Sequence, residues 1–245
     1  MENAFLVSLS HLSSLKREMD VIANNLANVN TDAYKSENVL FEEFISPVAE
    51  GDGKVPEVSF VLDYGLVRNL SAGNLVQTGS PLDVAISSDG YFAVQFNDQI
   101  AYTRNGSFNL NNKGELVTSA GHQVLNANLR PIVIPPGSEL PDIASDGTIS
   151  GPGLGNQKLG VFSFKDQQAL KKIGANLFTT GEERTLTPKD KLNLVQGSVE
   201  SSNVQAVSEI TRMIEVMRKY QSAAQLTENG DELTRKAIDQ LSRVR

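Results

Sequence analysis

The sequence predicts an α+β protein in which a discontinuous helical coiled-coil domain, built from both ends of the chain, accompanies a central all-β domain. Apolar residues recur every three to four positions at each end of the 245-residue chain, and this spacing is typical of amphipathic helices. Between the ends, short runs of alternating apolar and polar residues are separated by Asp-Gly and Asn-Gly turns. That pattern favours antiparallel strands.

The first predicted element is a helix within residues 1–35, which carries a seven-residue apolar repeat. One row of the repeat is Phe5, Leu12, Met19 and Leu26, and the other is Ser8, Leu15, Ile22 and Val29. Such rows are typical of a helix that packs against other helices. The rows predict that this helix has a stripe to bury.

Three asparagines, Asn24, Asn25 and Asn28, stand near the end of this helix although asparagine is a poor helix former. On a helical wheel they lie away from the apolar rows. Neutral amides can donate and accept hydrogen bonds where an unpaired charge would be costly. We therefore interpret them as a face that contacts neighbouring helices, the alternative being that they simply end the helix in water.

The middle of the chain divides into a connector and a β domain. Residues 36–75 show weak periodicity and predict an extended connector, and residues 76–194 are expected to form the β domain. Its clearest strands lie in 82–86, 91–96 and 158–164. A short helix is predicted at Gln167–Ile173, capped by Asp166 and ended by Gly174.

The last predicted element is a helix within residues 195–245. Ser202 and Asn203 open a Ser-Asn-Val-Gln capping box. The apolar stripe that follows is Val207, Ile210, Ile214 and Met217, and after a change of phase Leu226, Leu233 and Leu241. Gly230 lies between the two parts and predicts a kink or a break. We expect the two terminal stripes to pack on each other or on copies of the chain.

Composition excludes several classes of function. The net charge of −7 argues against nucleic acid and anionic membrane surfaces as partners. The absence of cysteine excludes disulfides and Cys-ligated metals. No apolar run reaches the length of a membrane span, and no cleavable secretory signal is visible. The two histidines, His11 and His122, are far apart in the sequence, so neither a zinc site nor a catalytic triad is expected.

Four segments resemble the flagellar axial proteins, the rod and hook components. Asn24–Lys35 (NNLANVNTDAYK) resembles their N-terminal signature, A-N-N-L-A-N-x-x-T-x-G-[FY]-K, and Gly197–Val204 (GSVESSNV) resembles their C-terminal signature, G-x-x-E-x-S-N-V. Pro81–Val94 and Tyr102–Phe108 are similar to the β core of the family.

Two residues depart from the N-terminal signature. Ala33 replaces the usual Gly and Asp32 the common Pro. Because Ala accepts a positive φ less readily than Gly, the geometry of the turn after Val29 is left open.

The resemblance implies a structural role without catalysis, cofactor or metal. Residues 1–35 and 195–245 would form an inner helical tube of the periplasmic rod that transmits torque, and the β domain would lie outside it. The implied partners are copies of this chain, other rod proteins and the flagellar type III export apparatus. The proximal part of the rod fits best, with the distal part as the alternative.

The predicted assembly interface combines residues from both terminal helices. It comprises Phe5, Leu12, Leu15, Met19, Ile22, Asn24, Asn25, Leu26, Asn28, Val29, Ser202, Asn203, Val207, Ile210, Ile214, Met217, Leu226, Leu233 and Leu241. A glycan-binding protein or an enzyme with helical extensions is the alternative from a different class. It would require a pocket with convergent titratable groups, and no such group stands out in the sequence.

Overall fold

The computed structural model describes residues 2–47, 57–135, 140–151, 153, 155, 157–174 and 176–242. Two long helices, α1 (Glu2–Ala27) and α2 (Ala206–Ser242), enclose a β-rich region in the sequence. The predicted α+β fold class is confirmed. None of the helices in the described ranges has an apolar stretch long enough to cross a membrane.

The strands are short apart from the first two. They are β1 (Glu37–Pro47), β2 (Glu57–Arg68), β3 (Leu75–Gln77), β4 (Val84–Ile86), β5 (Tyr91–Phe96), β6 (Gln99–Thr103), β7 (Phe108–Leu110), β8 (Leu116–Thr118), β9 (Asp142–Ile143), β10 (Thr148–Ser150), β11 (Gln157–Lys158), β12 (Val161–Ser163), β13 (Lys171–Gly174), β14 (Leu177–Thr179), β15 (Thr185–Leu186), β16 (Leu194–Gln196) and β17 (Ser198–Glu200).

The chain forms two compact units, each assembled from separate segments. The helical unit comprises Met1–Ala27, Glu37–Asn69 and Gln205–Arg245. The β unit comprises Asn28–Ser36 and Leu70–Val204. The prediction placed residues 28–35 and 195–204 in the helical domain, whereas they group with the β unit.

In the helical unit, α1 and α2 pack through a small apolar core. Leu15, Ile22 and Val216 are buried there, and the half-buried side chains around them are Met19, Met213, Tyr220 and Ala223. The α2 helix continues through Gly230, so the predicted kink or break at this glycine is not a break in the helix. Helix packing is thus present, and coiled-coil supercoiling stays a prediction.

The predicted connector is instead largely a β ribbon of the helical unit. Strands β1 and β2 pair antiparallel from Glu37 opposite Arg68 to Pro47 opposite Glu57. In the part of the ribbon whose side chains are described, the neighbouring pairs Val39–Leu40 and Leu66–Val67 put apolar residues on both faces. Leu40 and Phe41 remain 45% and 39% exposed. Because neither face is purely polar, the period-two alternation that reveals a strand is missing from this sequence.

The β unit is organised around a six-stranded antiparallel sheet with the order β13-β14-β6-β5-β12-β15. The central strand β5 is buried along its first four residues. One face contributes Phe92 and Val94 to the larger apolar cluster, and the other contributes Tyr91 and Ala93 to a smaller aromatic one. The strands predicted within 82–86, 91–96 and 158–164 are all present, the last divided into β11 and β12.

Two local predictions are corrected. The short α-helix predicted at Gln167–Ile173 is a single 3-10 turn, Gln167–Ala169, although Asp166 does cap it by accepting from the Gln168 amide. Its continuation is strand β13, which pairs with β14. Ser202 is not the N-cap of α2, because the helix begins at Ala206 and the Ser202 hydroxyl accepts from the Val204 amide at 3.2 Å.

Candidate functional site

The predicted interface positions on α1 divide into buried and partly covered residues. Leu15 and Ile22 are 5% and 1% exposed because they face α2 within the same chain. Leu12, Met19 and Leu26 are half-buried. Val29 follows the helix and is half-buried in the β unit. The side chains of Phe5 and Leu241 lie outside the described part of the structure.

Asn25 is fully buried and is used inside the chain. Its Nδ2 donates to the Glu37 carbonyl at 2.9 Å, and its Oδ1 accepts from the Glu37 amide at 3.0 Å. The same Nδ2 lies 3.4 Å from Glu209 Oε2 on α2. Asn25 therefore joins α1 to β1 within the chain, and its predicted contact with other subunits stays a prediction.

The other two asparagines have different positions. Asn24 is exposed on α1, and its contact with a neighbouring subunit stays a prediction. Asn28 forms the turn that follows the helix: its carbonyl accepts from the Thr31 amide and its Oδ1 accepts from the Thr31 hydroxyl, both at 3.1 Å. Asn28 therefore shapes the signature turn, as an asparagine in a turn commonly does.

The most informative surface is an apolar stripe on α2, here called the exposed stripe. Its members are Val207, Ile210, Ile214 and Met217, which are 80%, 45%, 41% and 42% exposed. Further along the helix, Leu226 and Leu233 are 72% and 69% exposed. The predicted stripe is therefore real as a surface, but within the chain α1 does not cover it.

The helix uses a second apolar row for its contact with α1, here called the packing face: Met213, Val216, Tyr220 and Ala223. Both rows have the spacing three-four-three. At about 100° per residue they are turned from each other by roughly 120° around the helix axis. The sequence pattern therefore marked an apolar face correctly but could not tell which of the two rows faces α1.

Polar contacts fix the rotation of α2 within the helical unit. Arg212 lies on the side of α2 opposite the exposed stripe, and its Nη2 is 2.8 Å from Glu18 Oε1 on α1. Its Nη1 donates to Asn38 Oδ1 on β1 at 2.6 Å. With one side chain bound to both neighbouring elements, the exposed stripe is held away from α1 and β1.

In the β unit, the two terminal signatures bind each other. The Ala33 amide donates to the Glu200 carbonyl at 2.7 Å, and the Asn203 amide donates to the Tyr34 carbonyl at 3.2 Å. The Asn203 side chain accepts from the Ser36 amide at 2.8 Å. Asn203 therefore holds the second half of the N-terminal signature in place, and its predicted contact with other subunits stays a prediction.

A buried ion network lies under this junction. Glu200 Oε1 is 2.5 Å from Lys35 Nζ, and Glu200 Oε2 is 2.7 Å from Arg104 Nε. Burial alone would raise the pKa of Glu200, but Arg104 and Lys35 outweigh it and hold that pKa below its usual value. Burial lowers the pKa of the Lys35 ammonium, and Glu200 offsets only part of this effect.

The turn that contains Asp32 and Ala33, the two departures from the signature, keeps the backbone conformation that Gly would adopt. Ala33 has φ of +56° and is 2% exposed, so the turn geometry left open by the sequence is a left-handed one in spite of the methyl group. Burial, together with the charge of Asp83, raises the pKa of the neighbouring Asp32 carboxyl.

Sequence reasoning missed the partnership of Lys35, Arg104 and Glu200. Lys35 and Glu200 are letters of the two signatures, and Arg104 lies in the YTRNGSF segment, so the signal was present in the motifs. Their pairing across the chain is a tertiary fact that no local pattern encodes. Among the described residues, no group of three or more His, Cys, Asp or Glu side chains is arranged to hold a metal ion.

Comparison with known proteins agrees with this geometry. Family models match three segments: the flagella basal body rod protein family at residues 5–35, the flagellar hook protein FlgE/F/G D1 domain at 85–151, and the flagellar basal body rod FlgEFG protein C-terminal at 195–240. The first and last of these segments contain the two signatures.

Full-length relatives extend the match to the whole chain. The chain is 38% identical over 245 residues to the flagellar basal-body rod protein FlgF of Caulobacter vibrioides, with all of both chains covered. It is 32% identical to FlgF of Mesorhizobium japonicum, covering 92% of each chain. It is 31% identical to the flagellar basal-body rod protein FlgG of Bacillus subtilis, covering 94% of this chain and 96% of that one. This protein therefore belongs to the flagellar basal-body rod protein family.

Proposed function

We propose that this chain is a structural subunit of the proximal rod of the bacterial flagellum, and that it polymerises through its terminal helices into the shaft that transmits torque. The observation that carries the proposal is the exposed stripe on α2. Burying one large aliphatic side chain contributes about 1.5–3 kcal/mol. Four half-exposed or exposed apolar residues in one row are a surface that another helix can cover.

The stripe and the packing face differ in a way that suits assembly into a shaft. The packing face meets α1 of the same chain, whereas the stripe is a separate surface of the same helix that remains exposed. Contacts between two different surfaces of identical subunits generate open helical filaments when the rotation does not close. A shaft needs that kind of contact.

The neighbours, route and location follow from the same proposal. The partners are copies of this chain and other rod proteins, with the flagellar type III export apparatus delivering the chain to a rod that spans the periplasm. A catalytic role is not part of the proposal.

A position in the distal rod is the second candidate. The relatives named FlgF and FlgG are similar to this chain at comparable identity, 38% and 32% against 31%. The full-length span of the first match favours the proximal position. Both positions use the same helical surface, so they differ only in the neighbours above and below.

The test is the location of the chain in purified basal bodies. Cells that produce the chain with a small epitope tag in an exposed loop of the β unit, at Gly181, would be used for immunogold electron microscopy. We expect label on the rod, near its membrane-proximal end. Label at the hook-proximal end would favour the distal position, and basal bodies without label would contradict the proposal.

A further inference from the structure

Three buried charges connect distant parts of the β unit. The side chains of Lys35, Arg104 and Glu200 are 3%, 8% and 0% exposed. Lys35 ends the N-terminal signature, Arg104 follows strand β6, and Glu200 ends strand β17. Charged side chains at this depth are rarely tolerated unless each is paired.

Each of these charged side chains also forms hydrogen bonds with backbone groups, in addition to its ion pair. Arg104 donates to the carbonyls of Gly90, Ile86 and Ser88 at 3.0, 3.2 and 3.3 Å. Lys35 donates to the Ser71 carbonyl at 2.7 Å, and Glu200 Oε1 also accepts from the Gly73 amide at 2.9 Å. Backbone groups of two separate loops are therefore arranged around the three ions.

We propose that Lys35, Glu200 and Arg104 form a latch that closes the β unit only when both terminal signatures are docked on it. Arg104 is held by carbonyls of its own neighbourhood. Pairing of β17 with β3 brings Glu200 Oε2 to Arg104. Docking of the N-terminal signature brings Lys35 to the other carboxylate oxygen, Oε1. The C-terminal signature thus supplies the counter-ion of Lys35, and Lys35 supplies a second charged donor to Glu200.

Backbone hydrogen bonds also join the two signatures directly. The Ala33 amide bonds the Glu200 carbonyl, and the Asn203 amide bonds the Tyr34 carbonyl, so each signature also supplies a main-chain acceptor to the other. Removing Glu200 leaves Lys35 and Arg104 buried without their counter-ion, and removing Lys35 takes a donor from Glu200 Oε1 and from the Ser71 carbonyl. Either change favours undocking of both segments rather than of one. The inference concerns the folding of the β unit and does not rest on the proposed role in the rod.

An exposed ion pair of the same unit provides a matched control. Lys158 Nζ lies 2.8 Å from Asp146 Oδ2, with side chains 28% and 37% exposed. Pairs of this kind contribute little to stability because water solvates both charges when the pair opens. The latch and this pair have similar distances and differ in burial.

The experiment is native-state hydrogen exchange on the full chain, comparing wild type with Glu200→Gln, Lys35→Met and Asp146→Asn. The reporters are the amides of Ala33 and Asn203, whose acceptors are backbone carbonyls and survive every substitution. The Leu125 amide, which bonds the Ala93 carbonyl at 2.8 Å, reports on the sheet. We expect Glu200→Gln and Lys35→Met to speed exchange at both signature amides by about tenfold or more, with a smaller change at Leu125, and Asp146→Asn to change none of them.

Two results would overturn the latch. One is exchange at Asn203 that stays at the wild-type rate in Lys35→Met, since the two signatures would then be independent. The other is an equal effect from Asp146→Asn, since burial would then not matter. If Glu200→Gln does not fold, Lys35→Met decides alone, because Met keeps most of the apolar stem and leaves Glu200 paired with Arg104.

Discussion

Asn25 joins the end of helix α1 to the start of strand β1 with one side chain. Its amide forms a donor and an acceptor bond with the backbone of Glu37, as a neighbouring strand would. A carboxylate, which only accepts, would lose the bond to the Glu37 carbonyl, and an apolar side chain would lose both bonds. The low helix propensity of asparagine is thus offset by two hydrogen bonds that are buried.

Replacing Asn25 or its neighbour Asn24 by aspartate should have different effects on stability. Asn25→Asp keeps the shape but loses the donor, and it places a charge beside the Glu37 carbonyl and the Glu209 carboxylate. We expect the free energy of unfolding to fall by roughly 1–3 kcal/mol, measured by thermal melting of the full chain. Asn24→Asp, on the exposed side of the helix, should change it by less than about 0.5 kcal/mol. Equal effects of the two substitutions would refute the role given to Asn25.

Ala33 gives the second prediction at this scale. The left-handed conformation costs a residue with a side chain roughly 1–2 kcal/mol. Two terms favour Ala33 over Gly: its buried methyl group contributes apolar burial, and Gly would give the unfolded chain more conformational entropy. These terms nearly cancel, so Ala33→Gly should leave the melting temperature almost unchanged. Ala33→Val adds a β-branched side chain at φ of +56° in a space that is 2% exposed, and it should destabilise the protein by several kcal/mol, on the order of 3. If the Ala33→Val variant proved as stable as wild type, the turn would have to adopt another geometry.

Glu200 makes the stability of the protein depend on acid. Because the pKa of Glu200 in the folded chain lies below its usual value of 4.5, the unfolded chain binds this proton more readily. The contribution of the carboxylate is therefore fully present above pH 4.5 and is lost as the pH falls through the folded pKa. We expect the difference in unfolding free energy between wild type and Glu200→Gln to be large at about pH 7 and to shrink below about pH 4.5. A difference that stays constant from about pH 7 to about pH 3 would contradict this, and urea titrations at each pH measure it.

At the scale of elements, α2 is a helix with two apolar rows that serve different partners. The packing face contacts α1, and the exposed stripe is turned away from it. Replacing a residue on one row should therefore affect folding, and replacing one on the other should affect association. Val216 and Ile214 are close in sequence and lie on different rows, so they separate the two effects.

Val216→Ala removes a side chain that is 2% exposed and should destabilise the helical unit by about 1.5–3 kcal/mol. Ile214→Ala removes one that is 41% exposed and should change the stability of the dilute protein by less than about 1 kcal/mol. Helical circular dichroism during urea unfolding measures both. The assignment of the rows would be reversed if Ile214→Ala proved to be the more damaging substitution.

Sequence periodicity predicted best those elements that are determined by residues close together in the sequence. Helix α1, helix α2 and strand β5 follow from spacing and turn residues, and all are present. The β ribbon was missed because both of its faces carry apolar residues, and the start of α2 was misplaced because Asn203 is held by the first signature. The pairing of Lys35 with Glu200 joins residues 165 positions apart, and local patterns carry no information at that range.

At the scale of the whole molecule, both compact units are built from segments that are distant in sequence. The helical unit needs the two ends of the chain, and the β unit needs both signatures. Family membership explains why the two signatures occur together, and the structure gives the physical reason: each provides hydrogen-bond acceptors and charge that the other lacks. Among the described residues, the apolar stripe on α2 is one of the surfaces that the single chain leaves open to solvent.

The exposed stripe is tested most directly by asking whether Met217 is required for incorporation into the rod rather than for folding. Met217 lies in the exposed stripe and is 42% exposed, so Met217→Asp should leave the isolated protein folded. In an assembled interface the new carboxylate would be buried without a partner, at a cost of several kcal/mol at every copy. Met217→Leu preserves volume and polarity, and Ser222→Asp places the same charge on an exposed residue outside the stripe.

The measurement is the amount of chain in purified basal bodies from cells that produce only the variant, together with the amount exported and the motility of the cells. We expect Met217→Asp to be exported and folded, to be absent from basal bodies, and to leave the cells non-motile, whereas Met217→Leu and Ser222→Asp should assemble as wild type does. Basal bodies that contain Met217→Asp in the wild-type amount would contradict the assignment of the exposed stripe as the assembly surface.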